Sequence, residues 1–301
     1  MNHWKELSAL CRQLGCCCKC DEPMSLHTSF QIGGPADAFV DPSQESQIAA
    51  ILQFAKQKGI PWRVVGKGSN LLVNDAGYRG LIIHLGEAFS AMALKGDTMI
   101  EVQAGASLAQ LCWFAYEHGL TGLEFAWGIP GSVGGAVYMN AGAYQGEMQQ
   151  VVRSVHHLDC NGRFGEYELD ELDFSYRHSI YHDVKHTILS TVVQLSHGDP
   201  EEIKAKMDDY MARRKSKQPL EYPSAGSTFK RPQGGYASAL IEQSGLKGVR
   251  VGGAMVSQKH SGFLINAGGA TCQDVLDLIK VVQKTVQEKT GFQLECEVER
   301  L

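Results

Sequence analysis

The sequence predicts an α+β fold. Helix-like and strand-like stretches follow one another without a strict βα alternation. The 301 residues, 44% hydrophobic and 20% charged, have the balance of a globular chain long enough for more than one domain. A run of glycines separated by apolar residues occupies the middle of the chain, where no regular element of ordinary length fits.

The elements follow in order. In residues 4–14, Trp4, Leu7, Leu10, Cys11 and Leu14 share one face of a short amphipathic helix. Residues 27–36 form a turn-rich lead-in broken by Gly33-Gly34-Pro35, and 36–40 a strand. Ile48, Ile51, Leu52 and Ala55 mark a helix over 43–58, closed by Gly59. Residues 61–73 read as strand, glycine turn, strand, and 81–85 and 99–102 as further strands. Ser107 and Gln110 make a capping box for a helix over 107–118, with Leu108, Leu111, Cys112 and Ala115 as its buried stripe. Strands are expected at 151–158, 165–169 and 187–195. The clearest helix is 199–217: Asp199 caps it, Pro200 takes the first position, and Glu201 and Glu202 complement the dipole. Ile203, Met207, Tyr210 and Met211 face inward, and Arg213, Arg214, Lys215 and Lys217 crowd the last turn. The remainder holds helices at 236–244 and 271–289 and strands at 249–256, 262–266 and 292–299.

A net charge of −5 and a pI near 6.1 leave no basic footprint for nucleic acid, so an anionic ligand must be met by local cations. No apolar run reaches membrane-spanning length, and the first residues carry scattered charges rather than the apolar core of a signal peptide. Nine cysteines, four of them at Cys16, Cys17, Cys18 and Cys20, fit a reducing compartment. A cytoplasmic protein is expected, without a nucleic-acid or membrane partner and with no obligate protein partner evident. The cysteine cluster lacks a distant second ligand pair at zinc spacing, and no metal is expected.

Residues 122–146 read GLEFAWGIPGSVGGAVYMNAGAYQG. Glycine this dense means either a tight crossing of core loops or backbone that approaches a large phosphorylated ligand. The turn Gly66-Lys67-Gly68-Ser69-Asn70 tips the balance toward the ligand. It enters no helix, so it is not a dinucleotide fingerprint, and it lacks the Lys-Ser/Thr pair of a P-loop.

Three segments together carry a resemblance: HTSFQIGGPA at 27–36, VGKGSNLLV at 65–73 and GIPGSVGGAVYMNAGAY at 128–144. They resemble the UDP-N-acetylenolpyruvoylglucosamine reductase family, flavoenzymes that complete UDP-N-acetylmuramate in bacterial peptidoglycan synthesis. The resemblance spans roughly residues 20 to 300. It implies a two-part FAD-binding region of the vanillyl-alcohol-oxidase/PCMH type over residues 1–197, divided near 90–100. A smaller α+β substrate-binding domain over 198–301 follows. It implies FAD as cofactor, NADPH as reductant and a UDP-sugar as substrate. Gly66, Lys67, Gly68, Ser69, Asn70, Leu71, Pro130, Gly131, Ser132, Gly135 and Gly142 would hold the flavin.

The resemblance also singles out catalytic residues. Tyr176-Arg177-His178-Ser179 matches the family's Y-R-x-S motif, with Arg177 on the substrate carboxylate; alone, it reads as a surface turn among acidic residues. AGSTFK at 225–230 matches A-G-S-x-F-K, with Ser227 as proton donor; alone, a serine after Gly226 reads as a turn cap. LECEV at 294–298 matches L-x-x-E-V, with Glu297 as the third catalytic group; alone, it reads as an edge strand with a solvated acidic face. Tyr176, Lys217, Lys230 and Arg231 would bind substrate. VGGAMVSQKHSGF at 251–263 resembles a family segment that shapes the substrate domain, where His260 reads as a turn residue bonded to backbone. Lys67 stands where many relatives carry a third glycine, and the chain resembles the short form without the extra substrate-covering insertion. A flavin-linked alcohol or sugar oxidase would share the fold but lacks reason for this Arg–Ser–Glu trio. A non-catalytic nucleotide-sugar binder would tolerate loss of Ser227.

Overall fold

The computed structural model describes residues 2–301. The chain forms two compact units, each drawn from three separate stretches. The first comprises the chain to Cys20, Asp37–Lys67 and Gly80–Arg213; the second comprises Asp21–Ala36, Gly68–Arg79 and Arg214–Leu301.

In the first unit the helices are α1 (Asn2–Leu14), α2 (Glu45–Lys58), α3 (Leu108–Glu117), the short α4 (Val133–Tyr138) and most of α5 (Pro200–Lys217). Their limits have local causes. Gly59 ends α2 in the left-handed conformation at φ +63°. Ser107 accepts from the Gln110 amide while the Gln110 side chain returns to Ser107, as the capping box predicts. Asp199 Oδ1 accepts from the Glu201 amide at 2.7 Å and starts α5. Ile203 and Met207 are buried on α5, whereas Tyr210 and Met211 are only half-buried. An antiparallel sheet of five strands runs in the order Phe164–Glu168, Val152–Leu158, Thr187–Gln194, Met99–Gln103, Met92–Leu94. Trp62–Val65 pairs in parallel with residues 81–84. One continuous core joins Leu7 and Cys11 of α1 to Ile48, Ile51 and Leu52 of α2 and to Val155, Leu189 and Val193 of the sheet.

The second unit is built on an antiparallel sheet ordered Ser224–Ser227, Phe263–Asn266, Ala254–Val256, Arg250–Val251. Helices α6 (Ala237–Gln243) and α7 (Cys272–Thr290) bury Leu240, Ile241, Val275, Leu278, Val282 and Val286 in its core. Thr271 caps α7 by accepting from the Asp274 amide, and Asp274 closes the box on the Thr271 amide at 3.0 Å.

Four expectations change. The stretch 249–256 is a hairpin rather than one strand, because it turns at Gly252 (φ +52°) and Gly253. The stretch 292–299 is mostly irregular; regular pairing is confined to Glu299–Arg300, which lies parallel to Leu71–Leu72, and Cys296 makes an isolated bridge to Phe229. The cysteine-rich segment, left without structure by the sequence, is a strand, Cys17–Pro23. The glycine-rich stretch contains α4, whose start Ser132 caps by accepting from the Gly135 amide.

One buried group in the first unit sets an acid limit on stability. His157 is 4% exposed, hydrogen-bonded to the Tyr181 hydroxyl at 3.1 Å and stacked on His186. Burial, then the neighbouring His186, push its pKa down to about 4. The unfolded chain takes up this proton near its ordinary pKa of about 6.5. The folded state binds fewer protons between those two values, so stability is lost as pH falls from about 6.5 toward about 4, by at most about 3 kcal/mol. Chemical denaturation followed across that window should show a steeper pH dependence in the natural protein than in His157→Gln.

Candidate active site

Four of the residues expected at the site converge in the first unit. The loop 129–134 lies along 104–108: Leu108 donates to the Gly131 carbonyl at 3.0 Å, Val133 to Ala106 at 2.8 Å, and Ser107 bridges Ser132. Ser132 is buried under Gly66, where a Cβ would stand 2.1 Å from Ser132 Oγ. This contact requires glycine at 66 and brings the two glycine-rich motifs together. Gly131 and Gly135 keep the surrounding backbone bare, and Lys67 and Pro130 are exposed beside it. Bare backbone flanked by a cation suits a diphosphate, whose oxygens accept from main-chain N–H groups. Replacing Gly66 by alanine should displace the Ser132 hydroxyl, cost about 1 kcal/mol of cap, and lower the flavin-to-protein absorbance ratio. Ser132→Ala in the same chain should restore part of that ratio if the cause is steric.

Tyr176 and Arg177 form the tip of a tight turn closed by reciprocal main-chain bonds between Ser175 and His178, at 3.2 and 3.1 Å. Arg177 has φ +58°. A non-glycine residue there costs about 1–2 kcal/mol, a strain that clusters at functional sites. The guanidinium donates to the Gly142 carbonyl at 3.3 Å and lies 5.0 Å from the Tyr176 ring centroid. Sequence reasoning missed what anchors this turn. Asn140, fully buried at φ +40°, donates to the Ser175 carbonyl at 2.9 Å and accepts from the Gln149 amide at 3.0 Å. Ser179, also fully buried, donates to the Tyr138 carbonyl at 2.7 Å. His178 pairs with Asp183 at 3.2 Å. The only advance signals were a polar residue at Asn140 among small apolar ones and the closing serine of the Y-R-x-S motif.

Ser227 and Glu297 come together in the second unit. The strand carrying Ser227 shifts register against its partner: Ser224 faces Ile265 and Ser227 faces Phe263, so one strand has an extra residue. Gly226 supplies the required φ of +76°, with open space around its Cβ position. Bulges re-aim side chains beside active sites, and here Ser227 is exposed while Thr228 and Phe229 are buried. The segment after the bulge runs against the closing segment. Glu297 donates its amide to the Thr228 carbonyl at 2.8 Å, and Lys230 donates to Glu295 at 2.8 Å. Glu297 is half-buried and Glu295 exposed. Asn70 Nδ2 donates to the Glu297 carbonyl at 3.1 Å, while the Glu299 amide donates to the Asn70 carbonyl at 2.9 Å. Asn70 therefore splints the closing segment, a structural task the sequence did not suggest. Ser29, from the first motif, donates its amide to the Gly68 carbonyl at 3.3 Å and its hydroxyl to Ser224 at 2.6 Å. Ser69 and Leu71 are half-buried in the same unit.

The expected substrate cations are distributed around this frame. Lys230 Nζ is 3.9 Å from Glu295, and Arg231 stacks over Tyr236 at 4.0 Å. Tyr236, 59% exposed, is an aromatic platform that sequence reasoning did not single out. Lys217 is exposed at the end of α5. His260 donates no side-chain proton to the Gly262 amide but accepts from it at 3.2 Å, the turn role expected of it.

Comparison with known proteins fits this frame. Residues 36–166 match the model of an FAD binding domain, and residues 218–301 match that of the UDP-N-acetylenolpyruvoylglucosamine reductase C-terminal domain. The α+β architecture is thus that of a flavin-dependent reductase, an FAD-binding region followed by a C-terminal domain. The chain belongs to the UDP-N-acetylenolpyruvoylglucosamine reductase family. It is 50% identical to the Clostridium novyi reductase of that name over 91% of this chain and 89% of the relative. It is 49% identical to that of Caldanaerobacter subterraneus subsp. tengcongensis, over 92% and 91%. The crystal structure of the Thermus caldophilus reductase, 36% identical, superimposes with a TM-score of 0.81 over 95% of this chain and 98% of that one. Among the described residues, no helix is long and apolar enough to cross a membrane.

Proposed function

We propose that this chain reduces UDP-N-acetylglucosamine enolpyruvate to UDP-N-acetylmuramate with NADPH, in cytoplasmic peptidoglycan precursor synthesis. The observation that carries the reading is the bulge that exposes Ser227 next to the segment bearing Glu297. Residues 1–197 serve the flavin and 198–301 the substrate. The residues around Gly66, Ser132 and Gly135, with Lys67 and the turn Gly68–Ser69–Asn70–Leu71, hold FAD; Pro130, Gly131 and Gly142 complete its contacts. When bound there, FAD would supply the hydride-transfer chemistry between NADPH and the enolpyruvyl group.

The protein's own groups do the rest. Arg177 binds the substrate carboxylate through a planar fork of donors and offsets the charge that develops on the enol carboxylate. Its strained turn fixes that fork before substrate arrives. Ser227 gives its hydroxyl proton to C2. Glu297 polarises the enol site beside it. Tyr176, Lys217, Lys230 and Arg231 bind the nucleotide sugar, the cations meeting its phosphates in a chain whose net charge is negative.

An anaerobic spectrum tests the reading. The purified protein should be yellow, bleach with NADPH, and recover the oxidised spectrum when UDP-N-acetylglucosamine enolpyruvate is added without oxygen. Bleaching without substrate-driven recovery would move the assignment to another acceptor. A colourless protein that FAD does not reconstitute would sink it.

A further inference from the structure

The turn that carries His260 is fixed along its length. Ser257, buried, accepts from the Lys259 amide at 3.1 Å and from the His260 amide at 3.3 Å. The Phe263 amide closes the turn on the His260 carbonyl at 3.0 Å, and the buried Ser261 donates its hydroxyl to the Ser238 carbonyl at 2.6 Å. The imidazole meets the Phe263 ring in a T-shape, with 5.0 Å between centroids. Its two nitrogens then differ. The Gly262 amide donates to Nδ1 at 3.2 Å. An amide can only donate, so Nδ1 is the bare nitrogen and the neutral ring carries its proton on Nε2. Nε2 has no partner among the described residues and is not one of their buried side-chain atoms that lack one, so its N–H reaches the surface.

Two contacts place this turn. Thr228, next to Ser227, donates its amide to the Gly262 carbonyl at 2.9 Å, and Phe263 stands opposite Ser227 across the bulge. Lys259 Nζ donates to the Lys215 carbonyl at 2.8 Å, near the end of α5 and two residues before Lys217. The turn is thus tied both to the strand that exposes Ser227 and to the helix end that carries Lys217. Lys259 is engaged by that carbonyl and by Glu221 at 3.7 Å, whereas the Nε2–H of His260 is open.

We infer that His260 binds substrate, its Nε2–H donating to a diphosphate oxygen of the nucleotide sugar in company with Lys217. The inference rests on the proposed reductase function. An anionic oxygen accepts a hydrogen bond more strongly than a neutral one, so an uncharged donor suffices. The ring also stays uncharged. A second proton on Nδ1 would break the bond from the Gly262 amide. Burial, helped by the charges of Lys247 and Lys217, holds the pKa below the ordinary 6.5, against the opposite pull of a backbone bond and Glu242. The contact orients the diphosphate without a charge that changes near neutral pH.

Calorimetry of the full-length, FAD-loaded protein with UDP-N-acetylglucosamine reads this contact. His260→Ala should weaken binding by about 10–100-fold, with a matching rise in KM for the enolpyruvyl substrate and little change in kcat. His260→Gln keeps an acceptor for Gly262 and a donor for the ligand, and should recover most of the loss. NADP+ carries the same diphosphate chemistry and is the second probe: a loss confined to NADP+ would place the donor against the reductant and overturn the assignment. Equal affinity of the natural and alanine proteins overturns this inference alone. A natural protein that binds neither UDP-N-acetylglucosamine nor its enolpyruvyl ether removes the reductase reading with it. A measurement on the unsubstituted protein decides even if the alanine variant does not fold. Proton–nitrogen correlation spectra, with the resonance assigned by His260→Gln, should show the Nε2–H tautomer and a shift of Nε2 when UDP-N-acetylglucosamine is added. An Nδ1–H tautomer, or an Nε2 signal that ignores the ligand, contradicts the proposal.

Discussion

Replacing Ser227 by alanine should leave a yellow protein that NADPH still bleaches, but that the enolpyruvyl substrate reoxidises about 10²–10⁴ times more slowly. The split between the two half-reactions follows from where Ser227 stands. Its side chain is exposed on a bulge, so the substitution removes no core packing. The backbone shape there depends on Gly226, not on the serine, so the register with Phe263 survives. On the role proposed for Ser227, only delivery of a proton to C2 should be lost. Rapid-mixing absorbance under anaerobic conditions reads both steps in one sample. Unchanged reoxidation would remove Ser227 as the acid; loss of both steps would mean the flavin site had been disturbed.

Arg177→Gly should separate stability from activity. Arginine at φ +58° carries a backbone cost of about 1–2 kcal/mol that glycine does not. The bond to the Gly142 carbonyl is worth about 1 kcal/mol in return. With the contact to the Tyr176 ring also lost, these terms oppose one another, so the melting temperature should fall by no more than a few degrees. On the role proposed for Arg177, turnover should fall by about 10²–10³, because the substitution removes the donor fork. Arg177→Lys keeps the charge but not the paired donors and should recover only part of the loss. A glycine variant with full turnover would reduce Arg177 to a turn residue; one that unfolds would make it a structural one. Asn140→Ala offers an independent check, since it removes the anchor on Ser175 while leaving the guanidinium intact.

The sequence by itself determined most of the longer helices and supplied the residues proposed for the site. Apolar spacing and caps place α2, α3 and α7 within a residue or two, because a helix is held by bonds between near neighbours. The glycine turn and the motifs around Arg177, Ser227 and Glu297 are likewise local strings. What only the tertiary structure decided depends on partners far along the chain. The register slip that exposes Ser227 exists only against Phe263–Asn266. The stretch 292–299 alternates like a strand, yet it pairs regularly only where Leu71–Leu72 meets it, and its irregular part is held by Asn70 and Thr228. Residues 249–256 read as one strand because Val249, Val251, Ala254 and Val256 are apolar, but the turn at Gly252 lets 250–251 pair with 254–255. The glycine turn itself divides: Gly66 closes on Ser132 in the first unit, and Gly68 lies against His27 in the second. Composition can require glycine at both positions, but only the packed backbone fixes what each one approaches.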